Sequence, residues 1–430
     1  MEVQLDKQRN VQKWINVAIC ALTIFFGLGF CSSNKSLYLK AITEALGFSR
    51  SSYALATSCR FLSTAIINIF FGYLVKRFGT KKLIIAGFLC LIVSIFINII
   101  ATNVYMFCVS ETISGIGFSW TSTGMVGCVI NRWCKENTGT ITGATLAANG
   151  IGGAVAAQIV TPIIYSEGNP FGYRNAYRLV IVLIVAVAVV VALFFKENPP
   201  GDACETEVTK SKKSSNSHWV GISYDSVKKK KYFYGSIICI FLTGMCLNSV
   251  SGTSSTYFLD IGMNAGLVAT VTSVSSLALT GSKLFTGFIY DKFGLKKAMT
   301  LCMSCSIMTM FMLSFTRNTT VGVIMAFSNA VLTAIALPLE TVMLPLYADD
   351  LFGDKSYNKI MGIVISANTF GYAVGSPLIN VCYDVFGSYA PAYFIAGVIM
   401  IAVLATTHIV INSAHRTRNM IIAKVKISHI

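Results

Sequence analysis

Charged side chains are scarce in this chain of 430 residues. Asp, Glu, Lys and Arg make up 12% of it and hydrophobic residues 54%, whereas soluble domains carry roughly 25% charged residues. A water-exposed surface needs more charge than this, so the composition excludes an ordinary soluble globular protein. It predicts a multi-pass integral protein of the cell membrane.

The sequence also lacks the motifs of several functional classes. It has no GxxxxGK[ST] loop, so ATP-driven pumping is not expected. The 4 histidines are scattered, and the 13 cysteines fall mainly in apolar blocks, where cysteine behaves as a small hydrophobe. Cys302 and Cys305 form a CxxC pair without the second pair that a four-ligand metal site needs. We therefore expect no enzyme activity, no cofactor and no metal.

The apolar residues arrive in blocks of about 20, the length of a membrane-spanning helix. Residues 179–195 are apolar at every position, whereas strands of a transmembrane barrel would alternate in polarity. The prediction is an all-α membrane protein with twelve transmembrane helices. The twelve blocks lie near residues 14–38, 52–75, 83–102, 104–130, 139–165, 176–195, 233–258, 265–290, 298–316, 321–347, 359–383 and 390–412.

A polar stretch over residues 196–231 separates six blocks from six. It predicts an N-terminal six-helix bundle over residues 1–195, a cytoplasmic linker, and a C-terminal six-helix bundle with a short cytoplasmic tail over residues 232–430. Of the 34 Lys and Arg residues, 26 fall on one side of this topology and 5 on the other. The positive-inside rule then places both termini in the cytoplasm. Because the positive charge is spread over many short segments, nucleic acid is not an expected partner, whereas the lipid bilayer is.

Two eleven-residue sequence segments each recur in similar form later in the chain. GYLVKRFGTKK begins at Gly72 and GFIYDKFGLKK at Gly287, 215 positions later. GATLAANGIGG begins at Gly143 and GIVISANTFGY at Gly362, 219 positions later. Repeats in register predict two parallel halves that rock about a central site.

The first pair of segments resembles the loop motif of the major facilitator superfamily, Gly-x-x-x-Asp-Arg/Lys-x-Gly-x-Arg/Lys-Arg/Lys. The second copy matches at every motif position, whereas the first has Lys76 in place of the acid. The resemblance covers the whole chain and implies the major facilitator fold, in which these loops take part in conformational gating and Asp291 latches one end of the halves. The gating residues that it implies are Gly72, Arg77, Gly79, Gly287, Asp291, Lys292 and Gly294.

A narrower resemblance is to the monocarboxylate transporter and oxalate/formate antiporter branch. Residues 131–135 read NRWCK and are similar to its Arg-Trp-Phe loop, and residues 375–389 are similar to its eleventh span. Lys35 and Lys283 stand where monocarboxylate transporters carry a substrate-linked lysine and arginine. Leu279 stands where those transporters carry an aspartate, so a proton carrier is expected elsewhere.

Charged residues inside predicted spans are functional candidates, because each costs at least about 2.5 kcal/mol near the bilayer middle. Lys283 has no acid three or four residues away, so we expect it to attract a carboxylate substrate. Lys35 lies in a polar segment of the first span and is the second candidate. For each lysine the alternative is snorkelling to the interface.

Arg60 and Glu111 lie at comparable depths in the second and fourth predicted spans. They are expected to pair, as a structural contact or as part of a substrate site. Glu111 is also a candidate proton carrier.

Glu340, between Pro338 and Pro345, is the second candidate proton carrier, because prolines kink the helix and open it toward a cavity; the alternative is an interfacial carboxylate. Asn149 and Asn368 occupy matching positions in the repeated glycine-rich spans. They are substrate-lining candidates, or else form hydrogen bonds between helices.

Together these patterns predict a secondary active transporter, a symporter or antiporter, that moves a small organic mono- or dicarboxylate by alternating access. Lys35 and Lys283 would neutralise the substrate, and protons are a possible second partner. We expect a monomer. One alternative is an efflux transporter of amphipathic compounds in the same superfamily, and a more distant one is a non-transporting membrane receptor.

Overall fold

A computed structural model describes residues 2–134, 138–166, 169–197, 223–353 and 357–427, and every regular element in these ranges is a helix. The chain forms two compact units. The first comprises residues 1–213 with 258–280, and the second comprises residues 214–257 with 281–430. The all-helical class predicted from the apolar blocks is confirmed.

The first unit is built from nine α-helices, a short π-helix, π1, and the later segment 258–280. Small residues let these helices approach closely, as expected for packing in lipid. The helices are α1 Glu2–Ile24, π1 Phe25–Phe30, α2 Lys35–Leu46, α3 Arg50–Ile69, α4 Phe71–Phe78, α5 Thr80–Ile100, α6 Val104–Trp120, α7 Thr123–Trp133, α8 Thr138–Ile164 and α9 Gly172–Phe194.

The second unit repeats this plan, again with a π-helix, π2, in its first long span. Its helices are α10 Tyr224–Val227, α11 Lys231–Thr243, π2 Gly244–Asn248, α12 Ser249–Asp260, α13 Ala265–Phe315, α14 Thr320–Ala336, α15 Pro338–Thr341, α16 Met343–Phe352, α17 Tyr357–Phe386 and α18 Ala390–Ile427. The last residues of α12 and residues 265–280 of α13 belong to the first unit.

The two π-helices occupy matching places. Phe25 and Gly244 begin them 219 positions apart, the offset of the second sequence repeat. Each packs on the glycine-rich helix of its own unit, π1 on α8 and π2 on α17. A π-helix widens the turn and redirects the backbone carbonyl groups, so each unit carries one irregular span where it packs on the glycine-rich helix.

Ten described segments are long and apolar enough to cross a membrane. Two predicted blocks, 265–290 and 298–316, fall within the single 51-residue segment Ala265–Phe315. At 1.5 Å per residue such a helix exceeds twice the bilayer core, and Gly294 interrupts it with a φ of 81°. The block near 52–75 corresponds to α3, which carries two arginines and four serines and is not among the ten. The count of twelve and the cytoplasmic termini stay predictions.

The predicted division at residues 195 and 232 also stays a prediction. Residues 198–222, which form most of the predicted linker, lie outside the described residues. The compact units differ from uninterrupted halves because residues 258–280 pack with the first unit. Within that unit, for example, the Ser273 hydroxyl donates to the backbone oxygen of Ala154 at 2.9 Å.

Candidate functional site

Lys35, Arg60 and Glu111 form a charged cluster in the first unit. Lys35, the first residue of α2, donates from Nζ to both carboxylate oxygens of Glu111 in α6. Arg60 in α3 approaches the same carboxylate, with 3.6 Å between its Nε and Oε2 of Glu111. Arg60 and Glu111 are only 6% and 3% exposed. The expected contact between Arg60 and Glu111 is present, and Lys35 joins it.

Lys35 reaches this cluster because the first span is not one continuous helix. After α1 and π1, a turn over residues 31–34 precedes α2. The buried Asn34 amide donates from Nδ2 to the backbone oxygens of Gly29 and Gly153, at 3.3 and 3.1 Å, which ties the turn to α8. Discontinuous spans of this kind occur at substrate sites of transporters, where the start of a half-helix favours anionic groups.

The guanidinium of Arg60 has unmet hydrogen-bonding capacity. Among the described residues, its Nε and Nη1 groups have no hydrogen-bond partner. The rings of Phe61 and Phe118 lie near it, with centroids 4.6 and 5.7 Å from Cζ. Buried charged groups are stabilised when their hydrogen bonds are completed. An anion could complete the shell of Arg60.

A small cavity lies beside Lys35 within the first unit. Its volume is about 20 Å³, and its lining includes Phe30, Tyr38, Phe118 and Tyr177. Such a volume accommodates about one water molecule. A carboxylate substrate is larger, so the surrounding helices must move before it could contact Lys35 from this cavity.

The second unit contains an acid–amide cluster of Glu340, Asn248 and Asn368. Asn248, the last residue of π2, donates from Nδ2 to Glu340. Asn368 in α17 donates to Oε1 of Glu340 at 3.3 Å. Glu340 lies in the short helix α15, which begins at Pro338 and ends at Thr341, so the helix break expected from the prolines is present. Within the described ranges Glu340 has no ion-pair partner, and no group of three His, Cys, Asp or Glu side chains is placed to hold a metal ion.

Lys283 and Asn149 lie apart from these clusters. Lys283 in α13 is half-buried, and none of the residues that the structure describes forms a hydrogen bond or ion pair with it. Asn149 in α8 accepts a hydrogen bond from the Ser33 hydroxyl at 3.3 Å. This contact and that of Asn368 both join two elements, as the packing alternative predicts. The roles of Lys283, Asn149 and Asn368 in substrate binding stay predictions.

The first motif loop is built around Gly79. Gly79 has a φ of 79° and directly precedes α5, and only glycine adopts this conformation without strain. Gly72 lies within α4, and the exposed Arg77 donates to the Tyr73 hydroxyl at 3.0 Å. In the second copy, Gly294 provides the same kind of turn, with a φ of 81°.

Asp291 is the acid of the second motif copy. In the second copy Asp291 is exposed, and its latch contact is not found among the described residues; that role stays a prediction. Lys292, beside it, lies 5.4 Å from the Phe293 ring centroid, and Gly287 lies within α13.

In the first copy, Glu197 stands in for the acid that Lys76 replaces. Its Oε1 accepts a hydrogen bond from the backbone N–H of Thr80 at 2.6 Å, so a carboxylate caps the start of α5. Arg132 of the NRWCK loop lies 3.7 Å from the same oxygen. Sequence reasoning missed Glu197, although an acid directly after the sixth predicted span was a usable signal.

A second group of charges in the first unit was also missed. Asp260, the last residue of α12, accepts a hydrogen bond from Nη2 of Arg50 at 2.7 Å. Nζ of Lys40 lies 3.4 Å from Oδ1 of Asp260. Arg50 begins α3 and Asp260 stands 210 positions later, so no local pattern could reveal the pair.

Comparison with known proteins gives several relatives. The chain is 25% identical over 279 residues to the sialic acid transporter NanX of Escherichia coli (strain K12), covering 64% of each chain. It is 20% identical over 348 residues to the oxalate:formate antiporter of Oxalobacter formigenes, covering 80% of this chain and 79% of that one. It is 23% identical over 414 residues to multidrug resistance protein 2 of Bacillus subtilis (strain 168), covering 94% and 96%. The match to NanX thus spans less than two thirds of that protein.

A solved structure with a similar fold is that of the nucleoside transporter NupG. It superimposes with a TM-score of 0.73 at 14% identity, covering 93% of this chain and 98% of that one. At this identity the likeness concerns the fold alone. Residues 17–349 match the sequence family described as the Major Facilitator Superfamily, which confirms the family predicted from the loop motif. The chain therefore belongs to the Major Facilitator Superfamily and is a multi-pass integral membrane protein.

Proposed function

We propose that this protein is a secondary active transporter of a small organic anion, a mono- or dicarboxylate, working by alternating access. The observation that carries the proposal is the charged cluster, in which Lys35 and Arg60 share the single carboxylate of Glu111. Both glutamate oxygens and both cations lie inside the helical body of the first unit. Charges in this position are costly and are kept where they bind or relay ions.

The balance of the cluster favours an anion over a cation as the substrate. Two cationic groups face one carboxylate, and Arg60 retains buried N–H groups without partners among the described residues. Hydrogen bonds from a guanidinium to a carboxylate are charge-assisted and strong, so a substrate carboxylate could accept from one of these unmet donors. A cationic substrate would meet net repulsion here.

The names of two relatives support this substrate class. NanX is named for sialic acid and the second relative for oxalate and formate, and all three solutes carry carboxylate groups. Within the proposal, Lys283 is the cation that the second half contributes. The proposed architecture has twelve spans in two six-helix bundles with both termini in the cytoplasm, and the protein acts as a monomer.

The driving force in this proposal is a proton gradient or the exchange of one anion for another. Of the two candidate proton carriers, Glu340 is the better one. Its carboxyl group contacts amides and no cation among the described residues, so it can gain and lose a proton without breaking an ion pair. Glu111 serves instead as the counter-ion of Lys35 and Arg60.

Efflux of amphipathic compounds is the second candidate, because the match to multidrug resistance protein 2 spans 94% of this chain. The charged cluster distinguishes the two functions. An exporter of cationic amphiphiles needs an accessible acid, whereas Glu111 is already occupied by two cations. Export of such compounds without carboxylate uptake would favour this second candidate.

The test is uptake by the purified protein in liposomes. Labelled lactate, formate and oxalate are offered with and without a pH gradient, and protein-free liposomes give the background. We expect saturable uptake of at least one carboxylate. Lys283→Ala should reduce it at least tenfold and Lys283→Arg should keep part of it, whereas Lys229→Ala, at an exposed position, should leave it unchanged. Full uptake by Lys283→Ala would remove Lys283 from the site, and no carboxylate uptake by the unaltered protein would refute the function.

A further inference from the structure

We infer that Glu111 sets the charge of the transported anion, so that the site accepts monoanions and discriminates against dianions. The inference rests on the proposed function and adds to it the net charge of the transported substrate. It assigns to Glu111 a specificity-determining role in place of proton transfer.

The first step is the charge count of the cluster. Lys35 and Arg60 each carry one positive charge and Glu111 one negative charge, which leaves one positive charge to be compensated. Cys31, Tyr53 and Tyr177 also face Glu111, but cysteine and tyrosine side chains are ordinarily neutral near pH 7. They do not change the count. A single bound carboxylate therefore brings the buried site to neutrality.

The second step is that the side chain of Glu111 cannot easily move out of the cluster. It is 3% exposed, and the ammonium group of Lys35 contacts both of its oxygens. Its partners lie on two other helices, so swinging it away would leave buried charges unpaired, which is strongly unfavourable. Glu111 thus acts as a fixed negative charge within the site.

The third step is the position that remains for a ligand. The Nε and Nη1 groups of Arg60 have no hydrogen-bond partner in the described part of the chain, although Arg60 is 6% exposed. Both are buried donors beside one uncompensated charge. A second carboxylate on the same substrate would have no cation left in the cluster and would be repelled by Glu111.

The prediction can be tested with two substrates of the same carbon skeleton, propionate and malonate, as probes. Uptake of each is measured in liposomes at neutral pH, where propionate is a monoanion and malonate mainly a dianion. The unaltered protein should prefer propionate. Glu111→Gln removes the fixed negative charge with little change of shape, and we expect it to raise the malonate-to-propionate uptake ratio at least tenfold. Glu44→Gln, at a side chain that is 60% exposed, is the matched control and should leave the ratio unchanged.

A double variant keeps the test decisive if Glu111→Gln alone fails to fold. Lys35→Gln combined with Glu111→Gln restores one net positive charge and keeps the guanidinium of Arg60, so its preference for propionate should return. A folded Glu111→Gln protein with an unchanged ratio, or a folded double variant that prefers malonate, would overturn the inference. If the unaltered protein takes up neither probe nor any other carboxylate, the proposed function fails first, and the two failures are thereby distinguished.

Discussion

Lys35 is the residue on which the charged cluster depends most directly. Its ammonium group contacts both oxygens of Glu111, and its side chain keeps 26% exposure, so it borders the space from which a ligand would arrive. Arg60, by contrast, approaches the carboxylate only through Nε at 3.6 Å. The two cations are therefore not equivalent: Lys35 fixes Glu111, and Arg60 offers the open donors.

Replacing Lys35 by methionine should separate these roles. The variant loses charged hydrogen bonds to Glu111, so we expect the free energy of unfolding to fall by about 2 kcal/mol. The remaining Arg60–Glu111 pair is neutral, and carboxylate uptake should fall at least tenfold. Thermal unfolding in detergent and liposome uptake measure the two effects. Unchanged uptake at normal protein levels would contradict a binding role for Lys35.

Replacing Glu340 by glutamine tests the assigned proton carrier. Glutamine can still form hydrogen bonds with Asn248 and Asn368, so the fold should be kept. It cannot carry a proton across the membrane, and accumulation of substrate driven by a pH gradient should therefore be lost. Exchange of labelled for unlabelled substrate should persist. Gradient-driven accumulation at the unaltered rate would show that another group carries the proton.

The sequence predicted the contact between Arg60 and Glu111, but not that Lys35 would join it. Equal depth in two spans was enough to bring Arg60 and Glu111 together. Lys35 was expected in a polar segment of the first span, whereas π1 and the turn over residues 31–34 redirect the chain. Composition does not mark a π-helix, since the run FFGLGF of π1 is as apolar as an ordinary membrane-spanning helix.

At the scale of the elements, π1 packs directly against the backbone of α8. A Cβ atom added at Gly152 in α8 would lie 2.4 Å from the backbone oxygen of Phe25. The second unit repeats this contact, since a Cβ atom at Gly375 in α17 would lie 2.3 Å from the backbone oxygen of Met245 in π2. The sequence predicted the repeated glycine-rich spans, but not which glycines make the contact.

Two alanine substitutions in α8 should therefore have opposite effects. Alanine stabilises a helix interior by about 1 kcal/mol relative to glycine. Gly143→Ala meets no atom within 4 Å and should raise the unfolding temperature slightly or leave it unchanged. Gly152→Ala forces π1 away from α8 and should lower the unfolding temperature by several degrees. Equal effects of the two substitutions would contradict the close contact.

At the scale of the whole molecule, composition and the repeated loop motif were sufficient to predict the helical class and the family. Contacts between distant parts of the chain were not predictable. Asp260 pairs with Arg50, and Glu197 caps α5 from 117 positions away, and neither pair leaves a local pattern. Twelve predicted blocks correspond to ten apolar segments because two blocks share the segment Ala265–Phe315 and because α3 carries two arginines and four serines.

The predicted topology is open to a direct test. The excess of Lys and Arg on one side of the membrane places both termini in the cytoplasm. Epitope tags fused to the two ends should bind antibody only after the cells are permeabilised. Staining of either tag in intact cells would contradict an even number of spans with cytoplasmic ends.

The central claim is that the buried cations of the first unit bind a carboxylate, and binding to the purified protein tests it most directly. Propionate should raise the unfolding temperature of the unaltered protein in a concentration-dependent manner, because a ligand that binds only the folded state stabilises it. In Arg60→Met the remaining Lys35–Glu111 pair is neutral, and the apparent affinity should fall at least tenfold, while Arg60→Lys should retain part of it. Equal stabilisation of the unaltered protein and Arg60→Met by propionate would contradict the account.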